Sequence, residues 1–172
     1  MAIFRQRFTS QGLTQIFVYC AFPIHVWVLI NMFRDVPSWL LYMRSWEIVG
    51  MVAYTLTFAL VETLLVLLVA VLIGTVVPKR WVVDRYVPLI SLWLLELSIM
   101  AIVFQNYIIR HLPKRDIVIA FALILAFSSL ILLRFPGVGA ILRWVADRLV
   151  ILSSIYIFFD VLGLLVVIVR NV

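Results

Sequence analysis

Long apolar stretches alternate with short polar segments along the chain, and the apolar stretches are long enough to cross a lipid bilayer. A membrane-spanning helix needs roughly 20 consecutive apolar residues. Five stretches meet or approach this length, at Leu13–Phe33, Ile48–Val77, Val87–Ile109, Ile117–Leu133 and Leu149–Val169. The pattern therefore predicts an all-α integral membrane protein, a bundle of five transmembrane helices that forms a single domain over residues 1–172.

Two of the connecting segments mix aromatic and aliphatic residues with charges, which is typical of helices that lie at a membrane surface. In Arg34–Glu47, the residues Asp35, Pro37 and Ser38 favour a helix start. We predict an interfacial amphipathic turn there, leading into the second span. The segment Phe135–Arg148 opens with proline and glycine and continues with a helical pattern, so we predict a second, short interfacial helix.

The composition excludes the other broad classes of protein. Hydrophobic residues make up 66% of the chain and charged residues 13%, with a mean hydropathy of +1.22. A soluble domain has about 25% charged residues, and a disordered chain has low hydrophobicity. The net charge of +6 would suggest nucleic-acid binding in a soluble protein. Here the basic residues flank the spans, so we expect them to face anionic lipid headgroups and expect no nucleic acid.

The distribution of basic residues gives a prediction of orientation. With five spans, the N-terminal side carries eight Lys and Arg and the opposite side six. The eight are Arg5, Arg7, Lys79, Arg80, Arg85, Arg134, Arg143 and Arg148. This difference favours an N-terminus in the cytoplasm. No small-x-small cleavage site follows the first apolar stretch, so we expect an uncleaved first helix.

Four ionisable residues fall near the middle of predicted spans, where they are costly. They are His25, Glu62, Glu96 and Asp160, and no Lys or Arg lies inside any span. One charged side chain at a helix centre costs about 2.5–3.5 kcal/mol, so three unpaired carboxylates would cost on the order of 10 kcal/mol. Such residues commonly mark ion or substrate pathways and protein contacts. We therefore take these four as the candidate site for a proton, an ion, a ligand or a partner.

Two interpretations of the four residues are open. They can be protonated and have only a structural role, forming hydrogen bonds between helices. Alternatively, they can form one shared functional site. In the fifth span, Ser153, Tyr156, Asp160 and Gly163 lie on one helical stripe, which predicts that this stripe faces the bundle. A glycine in that stripe allows a close helix contact.

No sequence motif indicates catalysis or a cofactor. The chain lacks a phosphate loop, a dinucleotide fingerprint, a His-Glu-x-x-His pair and a Cys-x-x-Cys pair. Asp160 is the only aspartate within a span, whereas an intramembrane aspartyl protease needs two. A metal held by His25, Glu62 and Glu96 has no support from local spacing, since each lies on a different span. We favour a protein that is not an enzyme, with an enzyme that acts on lipid at the membrane surface as a third alternative, and we assign no metal and leave the cofactor open.

Two functions from different classes fit the sequence. The first is a non-catalytic membrane subunit of a larger complex, because the chain has no soluble head and no catalytic motif. Its partners would be other membrane subunits or further copies of itself. The alternative is a small proton- or cation-coupled transporter in which Glu62, Glu96 and Asp160 exchange protons or hold a cation, with His25 as a relay.

Overall fold

The protein is a bundle of α-helices in a computed structural model that describes residues 8–78, 85–105 and 114–172. The described residues form five long helices and no strands: α1 Ser10–Tyr42, α2 Ser45–Val76, α3 Val87–Val103, α4 Lys114–Arg134 and α5 Pro136–Asn171. The all-α membrane architecture predicted from the sequence is confirmed. Four of the helices are long and apolar enough to cross a membrane, and α3 is shorter, at 17 residues. The predicted end of the third span, residues 106–109, lies outside the described residues.

Helix α1 is the centre of the bundle, because it packs against α2, α3 and α5. Its N-terminus is capped by Thr9, whose hydroxyl accepts a hydrogen bond of 3.0 Å from the Gly12 amide. All the buried residues of α1 lie between Gly12 and His25. The second half of the helix is therefore more exposed, and His25 marks the end of its buried part.

The first predicted interfacial segment is not a separate element. Helix α1 continues without a break to Tyr42, so the helix start predicted at Asp35, Pro37 and Ser38 is wrong. The Ser38 hydroxyl donates a hydrogen bond of 2.7 Å back to the Asp35 carbonyl and caps no new helix. The break falls later, where Met43 is extended, and the Arg44 amide donates a hydrogen bond of 2.8 Å to the Glu47 carboxylate.

The second predicted interfacial helix is also part of a longer one. Phe135 is extended, and α5 then runs continuously for 36 residues from Pro136. At 1.5 Å per residue this helix is about 54 Å long, well beyond the roughly 30 Å of a bilayer core. The prediction of helix at Phe135–Arg148 holds, but its separation from the last span does not. We expect the first part of α5 to project past the hydrocarbon.

Helix α4 has the fewest buried side chains of the five described helices. It packs mainly against α3 and α5. Among the side chains of α4 that the structure describes, only Leu132 is buried. Its long apolar surface consequently faces away from the rest of the chain.

Candidate functional site

His25 and Asp160 meet in the interior of the bundle, although they lie far apart in the sequence. The imidazole Nε2 of His25 is 2.9 Å from Oδ2 and 3.1 Å from Oδ1 of Asp160. The two residues are 2% and 0% exposed. Helix α1 supplies the histidine at the end of its buried part, and α5 supplies the aspartate from the predicted inward stripe. The pair thus joins the central helix to the last one.

The hydrogen bonds of His25 determine how many protons the pair holds. Its Nδ1 lies 2.8 Å from the Ala21 carbonyl oxygen, which can only accept, so Nδ1 carries a hydrogen. Nε2 then either donates to an ionised carboxylate or accepts from a protonated one. Both forms hold the same number of protons and have no net charge. A neutral pair sharing one proton avoids most of the cost of isolated charges in the membrane interior.

The surroundings of the pair are tightly packed on one side. The Tyr156 ring stacks on the His25 ring with centroids 4.8 Å apart and an angle of 4° between the planes. One turn beyond Asp160, Gly163 lies against α2, and a Cβ placed there would be 3.0 Å from the Ala53 carbonyl oxygen. Ser153 and Asp160 are buried with Gly163, which confirms the predicted inward stripe.

Two buried hydroxyls close to this region have no hydrogen-bond partner in the described part of the chain. They belong to Thr63 on α2 and Ser153 on α5, which are 1% and 2% exposed. Leu56 of α2 also lies against Gly163, since its Cβ would be 3.3 Å from a Cβ placed on Gly163. Thr63 follows Leu56 by two helical turns and lies on the same face of α2. Gly50 lies against Arg170 and Ala53 lies against Gly163, so α2 and α5 run antiparallel. Thr63 is therefore at about the level of Tyr156. Thr63 could not be predicted from the sequence, since nothing in its local pattern separates it from the other threonines.

Glu62 is not brought to the pair. It lies close to the middle of α2, one residue from the buried Thr63, but it is on the exposed face of the helix. Within the described residues, its carboxylate forms no hydrogen bond or ion pair. In this chain alone, Glu62 would face the lipid at mid-depth.

Glu96 lies in a third place, between α3 and α4. It is half-buried, and its Oε2 accepts a hydrogen bond of 3.0 Å from the Ser128 hydroxyl. Beside it, the Trp93 indole donates a bond of 2.8 Å to the Ser129 hydroxyl. These two contacts hold the middle of α4 to α3. The sequence contains a signal for them, because Ser128 and Ser129 form a Ser-Ser pair inside an otherwise apolar span.

The structure therefore divides the four predicted residues among three locations. It unites His25 with Asp160 and leaves Glu62 and Glu96 apart from them and from each other. In the part of the chain that the structure describes, no three His, Cys, Asp or Glu side chains converge as a metal site would require.

Grooves of the bundle surface lie beside both outlying acids. A groove of about 600 Å³ between α3 and α4 has Glu96 and Asp116 among its otherwise apolar lining residues. A second groove, of about 380 Å³, separates α2 from α3 and is lined by Leu65, Val69 and Trp93 among others. Leu65 and Val69 follow Glu62 by one and two helical turns. Glu62 thus lies beside an open, apolar groove.

Comparison of the chain with protein-family models, with curated proteins and with solved structures finds no match to any of them.

Proposed function

We propose that this chain is a non-catalytic membrane subunit of a larger complex, which contacts its partner through the outer face of α2. The observation that carries the proposal is the position of Glu62, near the middle of the apolar helix α2, on an exposed face and without a partner in the described chain. A carboxylate in contact with lipid there costs about 2.5–3.5 kcal/mol. A hydrogen-bond donor from another chain would remove that cost.

The apolar surface around Glu62 supports the same proposal. Phe58, Leu65 and Val69 lie on the same side of α2 and are 66%, 56% and 55% exposed. They would pack against a neighbouring helix, with Glu62 as the polar contact at its centre. The exposed length of α4 offers a further surface of this kind. Polar contacts of this type between membrane helices contribute about 0.6–2 kcal/mol.

The chemistry of the partner follows from the charges of this chain. No Lys or Arg lies within any predicted span, so a second copy has no cationic side chain to offer Glu62 at that depth. Two Glu62 residues could pair only by sharing a proton. A different chain with a Lys, Arg, Asn or Gln at mid-membrane fits better.

The test is purification from the native membrane in mild detergent, followed by the mass of the intact particle and identification of its components. We expect stoichiometric companion chains that are lost in Glu62→Leu and retained in Glu62→Gln, because the amide still forms hydrogen bonds. Glu96→Gln is the matched control, since Glu96 already has a partner within the chain. A particle that contains only copies of this chain would overturn the proposal.

The His25–Asp160 pair favours one alternative, a small proton- or cation-coupled transporter. A buried pair that shares one proton has the chemistry of a proton relay. In proteoliposomes containing a pH-sensitive dye, such a transporter would move protons in response to an imposed Na⁺ or K⁺ gradient. Asp160→Asn would abolish that movement while leaving the protein folded. Proton movement that is unchanged in Asp160→Asn would exclude this alternative.

A further inference from the structure

A polar cavity lies at the end of the bundle where α3 and α5 begin and α4 ends. Its volume is about 340 Å³, and its walls include Arg85 and Pro88 from the start of α3 and Pro136, Gly139 and Arg143 from the start of α5. The close approach of these two helix ends defines the cavity. A Cβ placed on Gly139 would lie 3.6 Å from the Pro88 ring.

The electrostatics of this cavity favour an anion. Arg85 and Arg143 line it from two different helices, and the guanidinium group matches the geometry of phosphate oxygens. The positive ends of the α3 and α5 dipoles lie at the same place, and neither helix has an acidic residue in its first turn. The negative end of the α4 dipole is also here, and Arg134 in the last turn of α4 offsets it. Asp147, one turn beyond Arg143, is the nearest acid along α5.

The position of the cavity indicates an amphiphilic anion. The apolar part of α3 starts beside it, and the remaining wall is the apolar end of α4, at Leu132 and Leu133. Next to Arg143, the exposed Trp144 ring has the Arg148 guanidinium 5.6 Å from its centre, an arrangement typical of residues at the level of lipid headgroups. A lipid whose phosphate is bound by Arg85 and Arg143 would therefore have its acyl chains alongside the apolar parts of α3 and α4.

We propose that this cavity binds the phosphate group of an anionic membrane lipid. The inference goes beyond the proposed function, because it needs neither a partner chain nor Glu62. The cavity is at the end of the bundle where α1 begins, because Gly12 near the start of α1 lies against Val87 at the start of α3. Basic residues near a membrane surface are each worth about a fivefold gain in affinity for anionic lipid.

The test is native mass spectrometry of the full chain in detergent, titrated with phosphatidylglycerol and, separately, with phosphatidylcholine. We expect a preference for phosphatidylglycerol that falls about tenfold or more in the double variant Arg85→Gln, Arg143→Gln, and by a smaller factor in each single variant. Arg148→Gln is the matched control. It removes an arginine from the same end of the bundle but outside the cavity wall, so it should lower the affinity by a smaller factor than Arg85→Gln or Arg143→Gln.

Three outcomes would overturn the proposal. The first is an absence of preference for phosphatidylglycerol in the unaltered chain. The second is an equal loss in Arg148→Gln, which would indicate a diffuse charge effect. The third is displacement of the lipid by inorganic phosphate at low millimolar concentration, which would assign the cavity to free phosphate. Retained helical content and elution volume in the single variants exclude misfolding as the cause of a loss.

Discussion

Asp160 and Glu62 are both acids near the middle of predicted apolar spans, but Asp160 is buried and Glu62 is exposed. Asp160 is fully buried in the region where α1, α2 and α5 meet, with His25 as its partner. Glu62 lies on the outer face of α2, beside a groove and without a partner in the described chain. Depth in the membrane alone therefore does not define a site. The face of the helix decides whether an acid finds a partner within the described chain.

The largest effect should come from breaking the buried pair. Asp160→Leu leaves the buried imidazole of His25 without its partner, and loss of one partner of a buried pair costs about 3–5 kcal/mol. We expect a large drop in the free energy of unfolding, measured by denaturant titration in detergent. Glu62→Leu, at the same kind of depth, should leave the stability of the isolated chain unchanged or raise it.

The double variant His25→Leu, Asp160→Leu distinguishes a polar pair from simple packing. Removing both partners leaves no unpaired group, so the double variant should be more stable than either single variant. Asp160→Asn keeps a hydrogen-bonding group and should lie between the single Leu variant and the unaltered chain. Additive losses in the double variant would contradict the pairing of His25 with Asp160.

Part of this comparison was accessible from the sequence. The inward stripe of Ser153, Asp160 and Gly163 follows from helical spacing, which needs no knowledge of neighbouring helices. The pairing of Asp160 with His25 joins the first and last helices, and no local pattern carries that information. The outward direction of Glu62 was equally hidden, because α2 is apolar all round and has no polar face to orient it.

The helix boundaries show a second limit of sequence patterns. Pro37 and Ser38 are good helix-start residues, but α1 continues through them. Proline in a helix leaves one carbonyl without its usual donor and does not always end the helix. Ser38 bonds back to a carbonyl within the same helix, as serine and threonine often do in apolar helices.

A smaller effect should follow from filling the close contact between α2 and α5. Gly163→Leu places a side chain against the Ala53 backbone, where even a Cβ is only 3.0 Å from the carbonyl oxygen. We expect a loss of about 1–3 kcal/mol in unfolding free energy, as is usual for overpacking. Gly137→Leu is the control, because nothing lies within 4 Å of a Cβ there. Equal losses in both variants would show that the α2–α5 contact is not tight.

The smallest effect concerns the unpartnered hydroxyl of Thr63, which lies in the same buried region as the His25–Asp160 pair. A buried polar group without a hydrogen bond costs about 1–3 kcal/mol relative to a bonded one, so Thr63→Val should raise the unfolding free energy by up to about 1 kcal/mol. Thr57→Val on the same helix is the control. The Thr57 hydroxyl donates a bond of 2.8 Å to the Ala53 carbonyl, so its removal should have no stabilising effect. A clear loss of stability in Thr63→Val would mean that the hydroxyl has a partner, such as a bound water. The buried region would then contain a polar network that extends from α5 to α2, and its contrast with the outer face of α2 would be sharper still.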